Sequence, residues 1–98
     1  MLKINGKELV QVMVESADKD GEIGILKHDS TGKTKVIFKE CGWLDTYADQ
    51  NQYKIIASFT HCPSDNGYNE ESEYTEDDAE YELDKLEKFL ETKGVEVF

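Results

Sequence analysis

Two histidines and two cysteines, His28, His61, Cys41 and Cys62, are the side chains best suited to chemistry. Together they supply the ligand types of a zinc site. Structural zinc sites, however, draw their ligands in closely spaced pairs. No CxxC pair occurs here. His61 and Cys62 are adjacent, so on an extended strand they point to opposite faces. A nucleophilic cysteine needs a neighbour that lowers its pKa, and the sequence places none beside either thiol. Two cysteines are too few for a disulfide framework. Both are expected to be buried as small apolar groups, unbonded to each other.

Two further segments imitate known sites. Asp18-Lys19-Asp20-Gly21-Glu22-Ile23 has the look of a calcium loop centred on its glycine. With Gly21 at the sixth loop position the twelfth falls on Lys27, where calcium needs a bidentate glutamate. Gly32-Lys33-Thr34 ends like a phosphate-binding loop, but the first glycine of that motif would fall on Lys27. Both segments are read as turns. No catalytic residue, metal ligand or cofactor site is assigned, and the chain is not expected to be an enzyme.

The elements around these residues read as β-rich in the first two-thirds. Leu2 to Ile4 leads into Asn5-Gly6, a hairpin signal. Glu8 to Glu15 alternates, with Val10, Val12 and Val14 on one face, and predicts a strand. Further strands are expected at Glu22–His28, Thr34–Cys41 and Tyr53–Thr60, with a longer connection from Gly42 to Gln52 that carries Trp43 and Tyr47. The fold class expected is therefore α+β. About five antiparallel strands form a meander or partly open barrel, followed by one long acidic helix and a short terminal strand. Ninety-eight residues make one domain. Residues 1–63 are its β-rich part, 64–74 an acidic linker, 75–94 the helix and 95–98 the last strand. Thr75 with Asp78 suggests a capping box, and Gly94 a C-terminal cap. No apolar run is long enough to span a bilayer and no signal-peptide pattern opens the chain. A cytoplasmic location, bacterial or in an infected host, is the expectation.

Charge is the most informative property. The net charge is −11, with no arginine. Residues 1–63 hold eight lysines against nine acids, whereas residues 64–98 hold three lysines against thirteen acids. Nucleic-acid binders show the opposite sign and favour arginine, so direct binding to nucleic acid or to an anionic membrane is excluded as an expectation. At 100° per residue Ala79, Leu83, Leu86 and Leu90 form an apolar helix stripe. Glu76, Glu80, Asp84, Glu87 and Glu91 fall on the adjoining flank with Asp77 nearby. Like charges at this spacing repel. A helix face serving solubility alone would mix signs. Segregation instead suits a surface shaped for a cationic groove. Glu70, Glu71 and Glu73 extend the acidic run upstream, interleaved with Tyr68, Tyr74 and Tyr81.

The segment YNEESEYTEDDAEYELDKLEKFLE, residues 68–91, resembles in type the small acidic phage-encoded inhibitors that mimic DNA, the anti-CRISPR and anti-restriction proteins. Bacteriocin immunity proteins share the composition because they neutralise a cationic nuclease. The resemblance implies a stoichiometric inhibitor of a basic, nucleic-acid-binding protein. Its contacts would be Glu70, Glu71, Glu73, Glu76, Asp77, Glu80, Asp84, Glu87 and Glu91, with Trp43 and Tyr47 as a second contact. The alternative is a non-inhibitory phage structural or assembly module. There the sheet face or an edge strand makes the contact and the acidic tail confers only solubility. A small redox or metabolic enzyme has the least support. Oligomeric state is left open.

Overall fold

Local chain chemistry builds eight elements in the computed structural model, which describes residues 2–63 and 74–98. In chain order they are β1 (Leu2–Ile4), α1 (Gly6–Glu15), β2 (Gly21–His28), β3 (Thr34–Glu40), α2 (Leu44–Gln50), β4 (Tyr53–His61), α3 (Glu76–Thr92) and β5 (Val95–Val97). The fold is α+β, as expected, but its sheets differ from the expected arrangement. One has three antiparallel strands in the order β3-β2-β4, and the other is a parallel pair of β1 and β5. It is neither a five-stranded antiparallel sheet nor a closed barrel.

The expected strand at Glu8–Glu15 is helix α1. Asn5 is not the corner of a hairpin. Its side chain accepts the backbone N–H of Lys7 at 2.9 Å and caps the helix. An asparagine oxygen that mimics a backbone acceptor serves either purpose. The face that becomes buried decides between them. Leu9, Val10 and Met13 are buried and Ala17 follows, a helical i, i+4, i+8 row. The alternating valines Val12 and Val14 are only half-buried. β-Branched preference is overridden by that stripe and the cap.

A meander fails for a second reason. The connection after β3 contains α2, which crosses the sheet and returns β4 to the far side of β2. Gly21 therefore pairs with Glu40 on one side and His61 on the other. A register shift between Ile25 and Leu26 marks a bulge against β4. Successive β2 residues serve two layers. Ile23 and Ile25, fully buried, join Leu9, Met13, Leu83 and Leu90 in the main core beneath α1 and α3. Gly24 faces the other way, towards Leu44 of α2. A Cβ at Gly24 would lie 2.8 Å from Leu44 Cδ1, so a larger residue there requires Leu44 to shift.

The C-terminal helix follows its sequence signals. The Asp78 carboxylate accepts the backbone N–H of Thr75 at 2.9 Å and its hydroxyl at 3.0 Å. Ala79, Leu83 and Leu90 are buried and Leu86 packs partly against the core. Gly94, at φ +79°, ends the helix in the left-handed region. Lys93 is the C-cap residue. Residues 64–73 of the expected linker lie outside the described residues. Its last member, Tyr74, is a core residue. It packs edge-on to His61, with its hydroxyl 3.1 Å from Glu82 Oε2.

Candidate functional site

Six carboxylates of α3 define the first surface. With Glu76 at 0°, the 100° helical step puts Glu87 at about 20°, Glu80 at about 40°, Glu91 at about 60°, Asp84 at about 80° and Asp77 at about 100°. All six are exposed. Leu83 and Leu90, just beyond the edge of this arc, are buried. The core thus fixes the rotation of the helix, and that rotation turns the whole acidic flank to solvent. Lys88 and Lys85 lie past the other edge.

The arc borders a groove of about 650 Å³ between α3 and α1. Glu76, Glu80 and Glu87 form one wall. Val10, Leu83, Val97 and Phe98 supply apolar surface, and Lys7 and Gln11 of α1 stand opposite. Phe98 is exposed, yet its backbone is held at both ends. Its N–H donates to Ile4 O at 3.0 Å and its carbonyl accepts Gly6 N–H at 2.7 Å. An acidic wall beside an apolar floor matches a side chain with an aliphatic stem and a cationic head. This groove was not foreseen, because Lys7, Val10 and Gln11 only line it once residues 6–15 are a helix.

Trp43 and Tyr47 stand elsewhere. Trp43 caps the start of α2 and Tyr47 lies within it, across the sheet from α3, beside Lys35 and Lys39. Lys35 Nζ donates to Tyr47 Oη at 2.7 Å, and Lys39 Nζ lies 4.6 Å from the Tyr47 ring centre. The hydrogen bond to Tyr47 holds the Lys35 ammonium above its ordinary pKa, against a smaller opposing effect of burial. Tyr47 stacks on Tyr53 with rings 6.2 Å apart, and His28 meets Tyr53 edge-on. Trp43 is 61% exposed and lines a groove of about 470 Å³ with Lys19, Phe38, Lys39 and Glu40. Glu70, Glu71, Glu73 and Tyr68 lie outside the described residues.

The candidate metal and nucleophile residues are dispersed. His28 and His61 mark opposite ends of the β2–β4 ladder, opposite Tyr53 and Gly21 respectively. His28 Nδ1 accepts the backbone N–H groups of Ser30 and Thr31 at 3.2 Å, shaping the turn before Gly32. Among the described residues no three His, Cys, Asp or Glu side chains gather to hold a metal ion. Cys41 is exposed rather than buried and Cys62 is half-buried; no disulfide joins them. They follow Glu40 and His61, so they share one end of the sheet with β2 between them. Two strand spacings of ~4.8 Å exceed the ~7 Å limit for a bridge. The two thiols are thus kept apart across the sheet.

Among the described residues no helix is long and apolar enough to cross a membrane. The chain matches no family model, no curated protein and no solved structure.

Proposed function

We propose that the chain is a binding protein whose α3 flank and adjoining groove engage a basic, nucleic-acid-binding protein, such as a defence nuclease, and block its cationic site. The observation that carries this reading is the groove wall. Glu76, Glu80 and Glu87 stand beside Val10, Leu83, Val97 and Phe98, which is a receptacle for lysine or arginine side chains rather than a merely charged face. Duplex DNA presents one charge per ~1.7 Å of axis, so its binders carry dense cationic surfaces that an acidic helix can occupy. Long-range attraction would speed encounter and make it sensitive to salt. Binding is stoichiometric and needs no catalytic group or cofactor.

The test is association with a partner captured from host lysate, measured at low and high salt, with displacement of labelled duplex DNA from that partner as a second readout. The parent chain should displace the DNA. A variant carrying Glu76→Gln, Glu80→Gln and Glu87→Gln should associate more slowly, with a flatter salt dependence. Equal rates at low salt would remove the acidic flank as the docking surface. Binding without displacement of DNA would leave the non-inhibitory module as the better account.

A further inference from the structure

The outer edge of β3 borders a groove in which three lysines outnumber one carboxylate. Strand order β3-β2-β4 leaves β3 at an edge, and among the described residues no strand pairs with its outer side. Five consecutive residues, Lys35 to Lys39, line one groove of about 390 Å³. Consecutive strand residues alternate between faces, so a groove that touches all five runs along the backbone edge itself. Val12, Glu15, Ser16 and Lys19 wall it on the α1 side and Tyr47 on the α2 side. It continues into the groove containing Trp43, sharing Lys19, Phe38, Lys39 and Tyr47.

We propose that this edge binds an extended peptide of a partner protein by strand addition, and that the peptide carries acidic residues four apart with apolar residues between. The register argues for this occupant. Lys35, Ile37 and Lys39 share the α2 face, while Val36 and Phe38 share the face beneath α1. An added strand therefore meets cation, apolar, apolar, apolar, cation in turn. Lysines on an edge strand ordinarily oppose pairing with a like edge. Here Lys35 and Lys39 lie beside Tyr47, which holds them along one face. A strand with carboxylates at the matching positions gains main-chain hydrogen bonds and two charge pairs together. The chain's own charge of −11 makes a cationic groove selective, since the rest of the surface repels an acidic peptide. The site is independent of the α3 flank, and its failure leaves that reading untouched.

The probe is the blocked peptide Thr-Glu-Val-Val-Val-Glu-Thr, which reads the same in both directions and so fits either strand polarity. Fluorescence of Trp43, the only tryptophan, and amide chemical shifts of residues 35–39 report its binding. Saturable binding with shifts along β3 is expected. Replacing both peptide glutamates with lysine should abolish it. Lys35→Gln with Lys39→Gln should weaken it about two- to thirtyfold, from two partly exposed charge pairs. Lys35→Glu with Lys39→Glu should instead bind the lysine peptide, which separates recognition from any loss of folding. N-methylation of alternate peptide residues should abolish binding in one of its two phases. Binding unaffected in both phases would overturn strand addition. Absence of saturable binding, or shifts confined to the α1–α3 groove, would overturn the site.

Discussion

His61 Nε2 donates to the main-chain oxygen of Met13 across 2.8 Å, tying the end of β4 to the second half of α1. A carbonyl only accepts, so the proton sits on Nε2. The ring is 2% exposed and packs edge-on to both Phe38 and Tyr74. Burial pushes its pKa below the ordinary value of 6.5, outweighing the Met13 carbonyl, Glu82 and Asp20, which act in the opposite direction.

The pH dependence follows from that direction. Well above pH 6.5 the imidazole is neutral in both folded and unfolded chains and contributes almost no slope. As pH falls through that value the unfolded chain takes up a proton before the folded one, so stability declines. Urea denaturation between about pH 7 and 5.5 should show it, a window above the ordinary carboxylate values of about 4. A His61→Asn variant should be less stable throughout but lack this slope. A parent whose stability is flat or rises on acidification through the window would contradict the assignment.

Gly24→Ala should destabilise the protein through Leu44. The new Cβ would lie 2.8 Å and 3.0 Å from the two Leu44 methyl carbons, tighter than packing allows. Overpacking of this kind costs about 1–3 kcal/mol. Leu44, 3% exposed, should itself cost about 2–5 kcal/mol when cut to alanine. In the double variant the alanine at residue 24 gains the space that Leu44 vacates. The combined loss in urea denaturation should therefore fall short of the sum. Strict additivity would mean that α2 does not rest on β2 at this point.

Asp78→Ala should cost about 0.5–2 kcal/mol by removing the capping contacts to Thr75. Far-ultraviolet circular dichroism during thermal unfolding measures it. A change below about 0.3 kcal/mol would show that packing of Leu83 and Leu90 fixes the helix start without the cap.

The sequence was legible where local and tertiary signals agree. In α3 the cap, the apolar stripe and Gly94 all mark one helix, and the acidic flank follows from its rotation. In residues 6–15 they conflict. The valines alternate with strand period, while Leu9, Met13 and Ala17 recur with helix period, and only the packed core decides which row is buried. That single misreading also concealed both grooves, since α1 supplies a wall to each. Strand order was equally hidden. A connection from Gly42 to Gln52 is compatible with a hairpin or a crossover, and the distinction rests on Leu44 meeting Gly24. Trp43 and Tyr47 stand out in the sequence as aromatics of the long connection, but the lysines beside Tyr47, Lys35 and Lys39, become adjacent only through pairing and α2.

The acidic flank can be tested without any partner. Glu80→Gln, Asp84→Asn, Glu87→Gln and Glu91→Gln together preserve size and nearly preserve helix propensity. They remove five repulsive pairs spaced three or four apart: Glu76 with Glu80, Asp77 with Glu80, Glu80 with Asp84, Asp84 with Glu87, and Glu87 with Glu91. They also remove two attractive pairs, those of Lys88 with Asp84 and with Glu91. At about 0.2–0.5 kcal/mol per pair the balance favours the variant by about 0.5–1.5 kcal/mol. Loss of Glu87 and Glu91 near the helix C-terminus adds to the gain, because the helix dipole is negative there. The variant should melt higher than the parent at low salt. Added salt should raise the parent's melting temperature more than the variant's, as screening relieves the same repulsion. The parent then holds a destabilising surface, which is the condition under which the flank has a role beyond solubility. If the variant instead melts lower, or salt moves both proteins equally, the carboxylates stabilise the fold and the argument from segregated charge to docking fails.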